Sequence, residues 1–263
     1  MRRSRRQPPV PPVAKHARDG MTTAPRTPRH DLARAISKLG IASRTQAARW
    51  IVAGRVTLDG RIVRDPETPT DMARARFALD GLDLGAGERI YLMLNKPRGF
   101  ITSAADEQGR DTVYALLADA GLPWLAPVGR LDKASEGLLL FSNDSAWAAR
   151  ITSPDSHLDK TYHVQIDRLP DAALLAALCD GIRQGGEQLA VKSARELRRG
   201  DKNAWLEIVL DEGRNRQIRR LLAAFDVGVL RLVRVAIGDV ALGTLAKGAW
   251  RKLDGDEAAR LVR

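Results

Sequence analysis

The residues best suited to chemistry in this 263-residue chain are one carboxylate, one tyrosine and a run of arginines. Asp132 stands in PVGRLDKASEGLLLFSND, Pro127 to Asp144, a tight turn that runs straight into the apolar stretch Leu138 to Phe141. Gly129 and Gly137 bracket the turn, and glycine opens backbone conformations closed to other residues. Arg130 and Lys133 flank the aspartate with positive charge. A carboxylate among cations at the mouth of a sheet suits the work of a nucleophile or a base. Asp-x-x-Ser is also a common turn or cap, so spacing alone leaves both readings open. Tyr162 lies in KTYHV, where it shares one strand face with Val164, and on pattern alone a buried structural tyrosine explains it. In EGRNRQIRR, Glu212 to Arg220, the arginines precede and join an apolar helix face of Ile218, Leu221, Leu222 and Phe225. They are equally well explained as the exposed side of that helix.

Composition bounds what such groups can serve. The net charge of +11 and a pI near 10.4 point to an anionic partner such as nucleic acid. Residues 1–30 carry eight Lys/Arg against Asp19 alone, so local clustering matters more than the total. A single cysteine and four scattered histidines exclude an internal disulfide framework and a dedicated zinc site. Cys179 reads as an inert core residue of the helix around it. No apolar run approaches the ~20 residues that span a bilayer. The N-terminus lacks the apolar core of a signal peptide, so a cytoplasmic protein without membrane contact is expected.

The positioning elements follow in order. Residues 1–28 are rich in Arg and Pro and poor in large apolar residues, so a disordered basic arm is expected. Met21 is an alternative start within it. Leu32, Ala35, Ile36 and Leu39 recur at helical spacing up to Gly40, and Ser43-Arg44-Thr45-Gln46 has capping-box form for a second helix. Arg55 to Val63 turns at Asp59-Gly60 in the manner of a hairpin. Phe77 to Leu79 is a short strand, and a domain boundary falls near 86 to 89. Further strands begin at Ile90, Lys160 and Trp205. Helices are expected over Asp111 to Ala120, Trp147 to Ile151 and Asp171 to Asp180.

Several of these segments resemble one family. LGIASRTQAARWIVAGRVTLDGRIV is similar to the α-L RNA-binding domain. LNKPRG, GRLDKASEGLLLFSND, KTYHV, EGRNRQIRR and LVRVAIGDVALGTLAKGAWRKL resemble, in order, the motifs of the ribosomal-RNA pseudouridine synthases of the RsuA/RluB/RluE/RluF branch. The resemblance spans nearly all of residues 30–254. It implies an α+β protein with three parts: the arm over 1–28, an α-L domain of two helices plus a β-hairpin with its linker over 29–88, and a catalytic domain over 89–256. The catalytic domain is expected to hold a large, mostly antiparallel mixed sheet with flanking helices.

By the same resemblance Asp132 is the catalytic aspartate, Arg219 its ion-pair partner, and Tyr162 the residue that packs on the target base. The reaction implied is isomerisation of a flipped-out uridine to pseudouridine in ribosomal RNA, without cofactor or metal; a monomer is the default expectation. In the small domain Arg34, Lys38, Arg44, Arg49 and Arg55 are expected to contact phosphates. In the catalytic domain Lys96, Arg130, Lys160, Arg214 and Arg216 are expected to do the same. The motifs lean slightly toward large-subunit over small-subunit rRNA. A non-catalytic ribosome-assembly factor is the rival reading. A glycosidase-like hydrolase is a third, but no second carboxylate is placed by sequence to act as its acid.

Overall fold

The computed structural model describes residues 30–85, 87–103, 109 and 111–263. The basic arm over 1–28 and the Met21 alternative lie outside these residues.

Two short helices and two-residue turns build the N-terminal unit. Its elements are β1 (His30–Asp31), α1 (Leu32–Lys38), α2 (Arg44–Val52), β2 (Val56–Leu58), β3 (Arg61–Ile62), β4 (Pro69–Thr70), β5 (Phe77–Leu79) and β6 (Leu82–Asp83). Asp31 caps α1 by accepting from the Arg34 N–H at 2.6 Å, and Ser43 Oγ caps α2 by accepting from the Gln46 N–H at 3.0 Å. Asp59 and Gly60 both take positive φ, 51° and 79°, the geometry of a two-residue hairpin turn. The expected hairpin is half of a four-stranded antiparallel sheet, β3-β2-β5-β6. Leu32, Ala35, Ile36, Ala47, Ile51, Val56 and Phe77 form its core. Gly40 (φ 77°) lies so close to the C-terminal part of the chain that a Cβ there would come within 2.8 Å of the Asn143 carbonyl. Asn143 in turn fixes the linker, accepting from the Ile90 N–H and donating to the Glu88 carbonyl.

The rest of the chain forms β7 (Tyr91–Lys96), β8 (Ala126–Val128), β9 (Glu136–Ser142), α3 (Ser145–Thr152), β10 (Lys160–Ile166), α4 (Ala172–Asp180), β11 (Ile182–Gln184) and β12 (Glu187–Leu189). It continues with β13 (Ser193–Arg199), β14 (Ala204–Leu210), α5 (Gln217–Ala223), β15 (Val229–Ile237), β16 (Val240–Ala241), β17 (Trp250–Lys252) and α6 (Gly255–Arg260). One sheet runs β13-β14-β10-β15-β9-β7-β17, with β8 added on β9 and β16 on β15. Among the named strands only β9 and β15 pair in parallel, so the expected mostly antiparallel mixed sheet is observed.

The apolar stretch after Asp132 becomes the spine of this sheet. All seven residues of β9 are buried, Leu138 and Leu140 in one cluster and Leu139 and Phe141 in another on the opposite face. Each fully buried leucine contributes on the order of 1.5–3 kcal/mol. At the other end β14 alternates: Ala204, Leu206, Ile208 and Leu210 are buried in the cluster that also holds Leu178 of α4 and Ile218, Leu221 and Leu222 of α5. Gly137 is where β9 and β15 touch backbone to backbone. Its φ is 99°, and a Cβ would sit 2.2 Å from the Arg234 carbonyl oxygen.

Two expectations need correction. The helix expected from Asp111 is a 3-10 helix over Val113–Ala120. Its first residues are held instead in a bridge to Ile101, which accepts from the Val113 N–H and donates to the Asp111 carbonyl. Cys179 is exposed, because α4 turns Leu178 inward and leaves its neighbour on the outer side. Among the described residues no helix is long and apolar enough to cross a membrane.

Candidate active site

The loop between β8 and β9 carries Asp132 and is clamped from three directions. The Thr102 hydroxyl donates to the Leu131 carbonyl at 2.8 Å, and the Gly99 N–H donates to the Lys133 carbonyl at 2.8 Å. Within the loop the Ser135 N–H donates to the Asp132 carbonyl at 2.9 Å. From below, Lys96 Nζ donates to the carbonyls of Ser135, Pro97 and Asp132 at 2.8, 3.1 and 3.2 Å.

That arrangement corrects the reading of Lys96 as a phosphate contact. Its side chain is fully buried at the end of β7, beneath the loop, and its ammonium is spent on three backbone carbonyls. Burial pushes it down to about 8, against the pull of Asp132 and Glu136 toward the charged form.

The arginine that faces Asp132 is Arg216, where Arg219 was expected. Asp132 Oδ2 lies 3.5 Å from Arg216 Nη1. Arg219, expected to make that pair, donates instead to the Ala134 carbonyl at 3.2 Å and the Val229 carbonyl at 3.4 Å. The physical reason is where each side chain leaves α5. Arg216 precedes the helix in a left-handed conformation (φ 50°) and is exposed, whereas Arg219 is in the first turn and half-buried against the loop backbone. Burial lowers the Arg219 pKa, with the Arg216 charge adding to it and Asp132 opposing. Arg219 therefore grips the main chain two residues beyond the aspartate, and Arg216 faces its carboxylate.

Asp132, Arg216, Arg219 and Tyr162 line one cleft of about 680 Å³. Tyr162 is half-buried on β10, between the cluster of Leu131 and Leu139 and that of Leu206 and Ile208. Arg130, Lys160 and Arg214 line the same cleft. Lys160 Nζ is 3.5 Å from the Asp211 carbonyl. Arg214 Nε donates to Glu212 Oε2 at 2.8 Å, while buried Gln217 donates to Glu212 Oε1 at 2.7 Å, so this turn is fixed by its own side chains.

The small-domain cations lie apart from the cleft lining. Arg34, Arg44 and Arg49 are exposed, and Arg44 approaches Asp31 at 3.4 Å. Lys38 Nζ is 2.9 Å from His30 Nε2. Arg55 makes a two-pronged pair with Asp80 and also stacks near Trp50, so part of its charge is already answered.

Glu136 was not singled out by sequence. It is 2% exposed, immediately after the Asp132 loop, and holds Arg231 at 3.0 Å and Lys247 at 2.6 Å. Burial would raise its pKa, but hydrogen bonds from both cations outweigh this and lower it. Only long-range contact reveals the role, since its partners are about a hundred residues away in sequence.

Residues 90–224 match the family described as RNA pseudouridylate synthase, and residues 32–71 match the S4 domain, the α-L unit of the resemblance. The chain is 35% identical over 230 residues to an uncharacterized RNA pseudouridine synthase of Aquifex aeolicus, covering 87% of this chain and 92% of that protein. It is 36% identical over 235 residues to an uncharacterized RNA pseudouridine synthase of Mycobacterium tuberculosis, covering 88% and 92%. A crystal structure of a pseudouridylate synthase shares 32% identity at a TM-score of 0.60, with 89% of this chain and 100% of that chain covered.

Proposed function

Because the chain belongs to the RNA pseudouridylate synthase family, we propose that it isomerises one uridine of ribosomal RNA to pseudouridine, with Asp132 as the nucleophile. The observation that carries this reading is the meeting of Asp132, Tyr162 and Arg216 around one cleft. The reaction breaks the bond from ribose C1′ to N1 and makes one from C1′ to C5 of the same base. C5 loses a proton and N1 gains one, so atoms and electrons balance without oxidant, reductant or hydrolytic water.

Asp132 acts at the sugar, either by attack on C1′ or by drawing off the neighbouring C2′ hydrogen to give a glycal. Both routes need an anion held in place, and a guanidinium suits that task because it stays charged and binds carboxylates by directed hydrogen bonds. Arg216 supplies it, while Lys96 and Arg219 hold the loop backbone. Tyr162 offers a flat surface for uracil and a hydroxyl to move the C5 proton.

A stacked uridine must be flipped out to reach this cleft, at a cost of roughly a few kcal/mol. Phosphate contacts offset it. Residues 29–88 act as an anchor through Arg34, Lys38, Arg44, Arg49 and Arg55, and residues 89–256 do the chemistry with Arg130, Lys160 and Arg214 along the cleft. Large-subunit rRNA is the first substrate to try.

The test is tritium release from rRNA transcripts labelled at C5 of uridine, with each subunit's RNA run separately. Wild type should release tritium from one of them, and Asp132→Ala should bind that RNA but release none. Binding without release by the wild type, on free RNA and on immature subunits, would replace this reading with the assembly-factor one.

A further inference from the structure

Arg234 is a buried cation that the reaction scheme leaves without a task. It lies on β15, 6% exposed, and lines the cleft beside Tyr162, with which it is paired in the β10–β15 register. Its Nε donates to the Leu138 carbonyl at 2.8 Å. Its Nη2 is buried with no hydrogen-bond partner, and among the described residues no carboxylate lies within ion-pair distance of it. A buried charge is tolerated only when it is paired and hydrogen-bonded. Arginine cannot escape by giving up its proton.

Among the described residues the carboxylates that line the cleft make their contacts elsewhere than with Arg234. Asp132 faces Arg216, Glu212 holds Arg214 and Gln217, and Asp211 lies 3.8 Å from His157. Lys160 adds a second positive charge on the same strand face as Tyr162, two residues away. Burial lowers the Lys160 pKa, the Arg234 charge adds to it, and Asp211 and Asp159 oppose both, so the two cations feel each other. Two neighbouring cations, one with a free buried donor, need an anion rather than a neutral carbonyl.

Arg234 is also held in place. Its backbone lies against Gly137, where no Cβ fits, and its Nε is tied to the next residue of β9. The guanidinium is thus fixed before any ligand arrives, which keeps the ordering cost of binding low.

We propose that Arg234 and Lys160 form an anion pocket on the floor of the cleft that takes a phosphate group, the phosphodiester next to the nucleotide seated on Tyr162. The anion pocket stands on the geometry above; that the phosphate belongs to RNA rests on the proposed function. Uracil is neutral, so the base alone leaves the buried Arg234 donor unanswered. The backbone phosphate is the anion that an RNA strand brings to this depth.

The experiment uses the full chain and three probes: uridine 3′-monophosphate, inorganic phosphate and uridine. Binding of the phosphates is read by ³¹P line broadening, and that of uridine by its proton lines. Wild type should bind the monophosphate at least tenfold more tightly than uridine. Arg234→Gln should lose that preference, while Arg183→Gln, an exposed arginine on β11, should keep it. Arg234→Lys retains the charge but not the fork and should fall between. Lys160→Gln, at a half-buried position, should weaken phosphate binding even if the Arg234 variants do not fold. Equal affinity of the wild type for uridine and its monophosphate, or unchanged phosphate binding in folded Arg234→Gln, would overturn the proposal. No turnover is needed for this readout. A chain that binds phosphate through Arg234 yet releases no tritium keeps the pocket and loses the assigned reaction; the reverse result loses the pocket alone.

Discussion

Replacing Lys96 by Met removes the post on which the Asp132 loop stands. Three carbonyls, those of Pro97, Asp132 and Ser135, lose a donor at 2.8–3.2 Å. The Asp132 carbonyl keeps the Ser135 N–H, so at most two are left bare. An abandoned buried acceptor costs about 1–3 kcal/mol, and the apolar methionine stem recovers part of this by escaping the desolvation of a charge. The expected net loss is about 2–4 kcal/mol at pH 7. Protonation adds a second signature. Lys96 is pushed down to about 8 from its ordinary 10.5, so between those values the unfolded chain holds a proton that the folded chain has released. Stability from this group therefore rises with pH across that window, by about 2–3 kcal/mol up to pH 10, and the methionine variant lacks the rise. Urea unfolding of both proteins at pH 7, 8, 9 and 10 checks it. The stability gap should widen in favour of wild type above pH 8. A variant as stable as wild type at pH 7, or a gap that stays flat or narrows toward pH 10, would refute the reasoning.

Gly137→Ala should be severely destabilising, because the new Cβ meets the Arg234 carbonyl oxygen at 2.2 Å on a backbone of φ 99°. A loss above ~3 kcal/mol, read as a Tm drop of about 6 °C or more, is expected. Gly213→Ala, with open space around it, should change Tm little and serves as the control. Arg216→Gln and Arg219→Gln should separate stability from activity. The Arg216–Asp132 pair is half-exposed and worth at most ~1 kcal/mol to the free protein, so Tm should hold while the rate of tritium release falls. Arg219→Gln frees two carbonyls beside the loop and should lower Tm as well as rate. The opposite ranking of Tm values would mean that Arg219, not Arg216, answers the aspartate.

Much of the protein is legible in the chain because its signals are local. Ser43 before Arg44-Thr45-Gln46, Asp59-Gly60 between alternating residues, and the unbroken apolar run after Gly137 each fix a conformation through neighbours within a few residues. The motif order around Asp132, Tyr162 and the 212–220 arginines likewise carries the α+β architecture and the RNA-modifying family. What the sequence could not assign was which cation does what. Lys96 and Arg219 read as surface and ion-pair residues, yet one is buried under three carbonyls and the other grips the loop backbone. Arg216, Glu136 and Arg234 acquire their tasks from groups 84 to about 110 residues away. A cation's partner is chosen by the few ångströms that burial and helix register leave it, and those are decided only when β9, β15 and α5 close around one cleft.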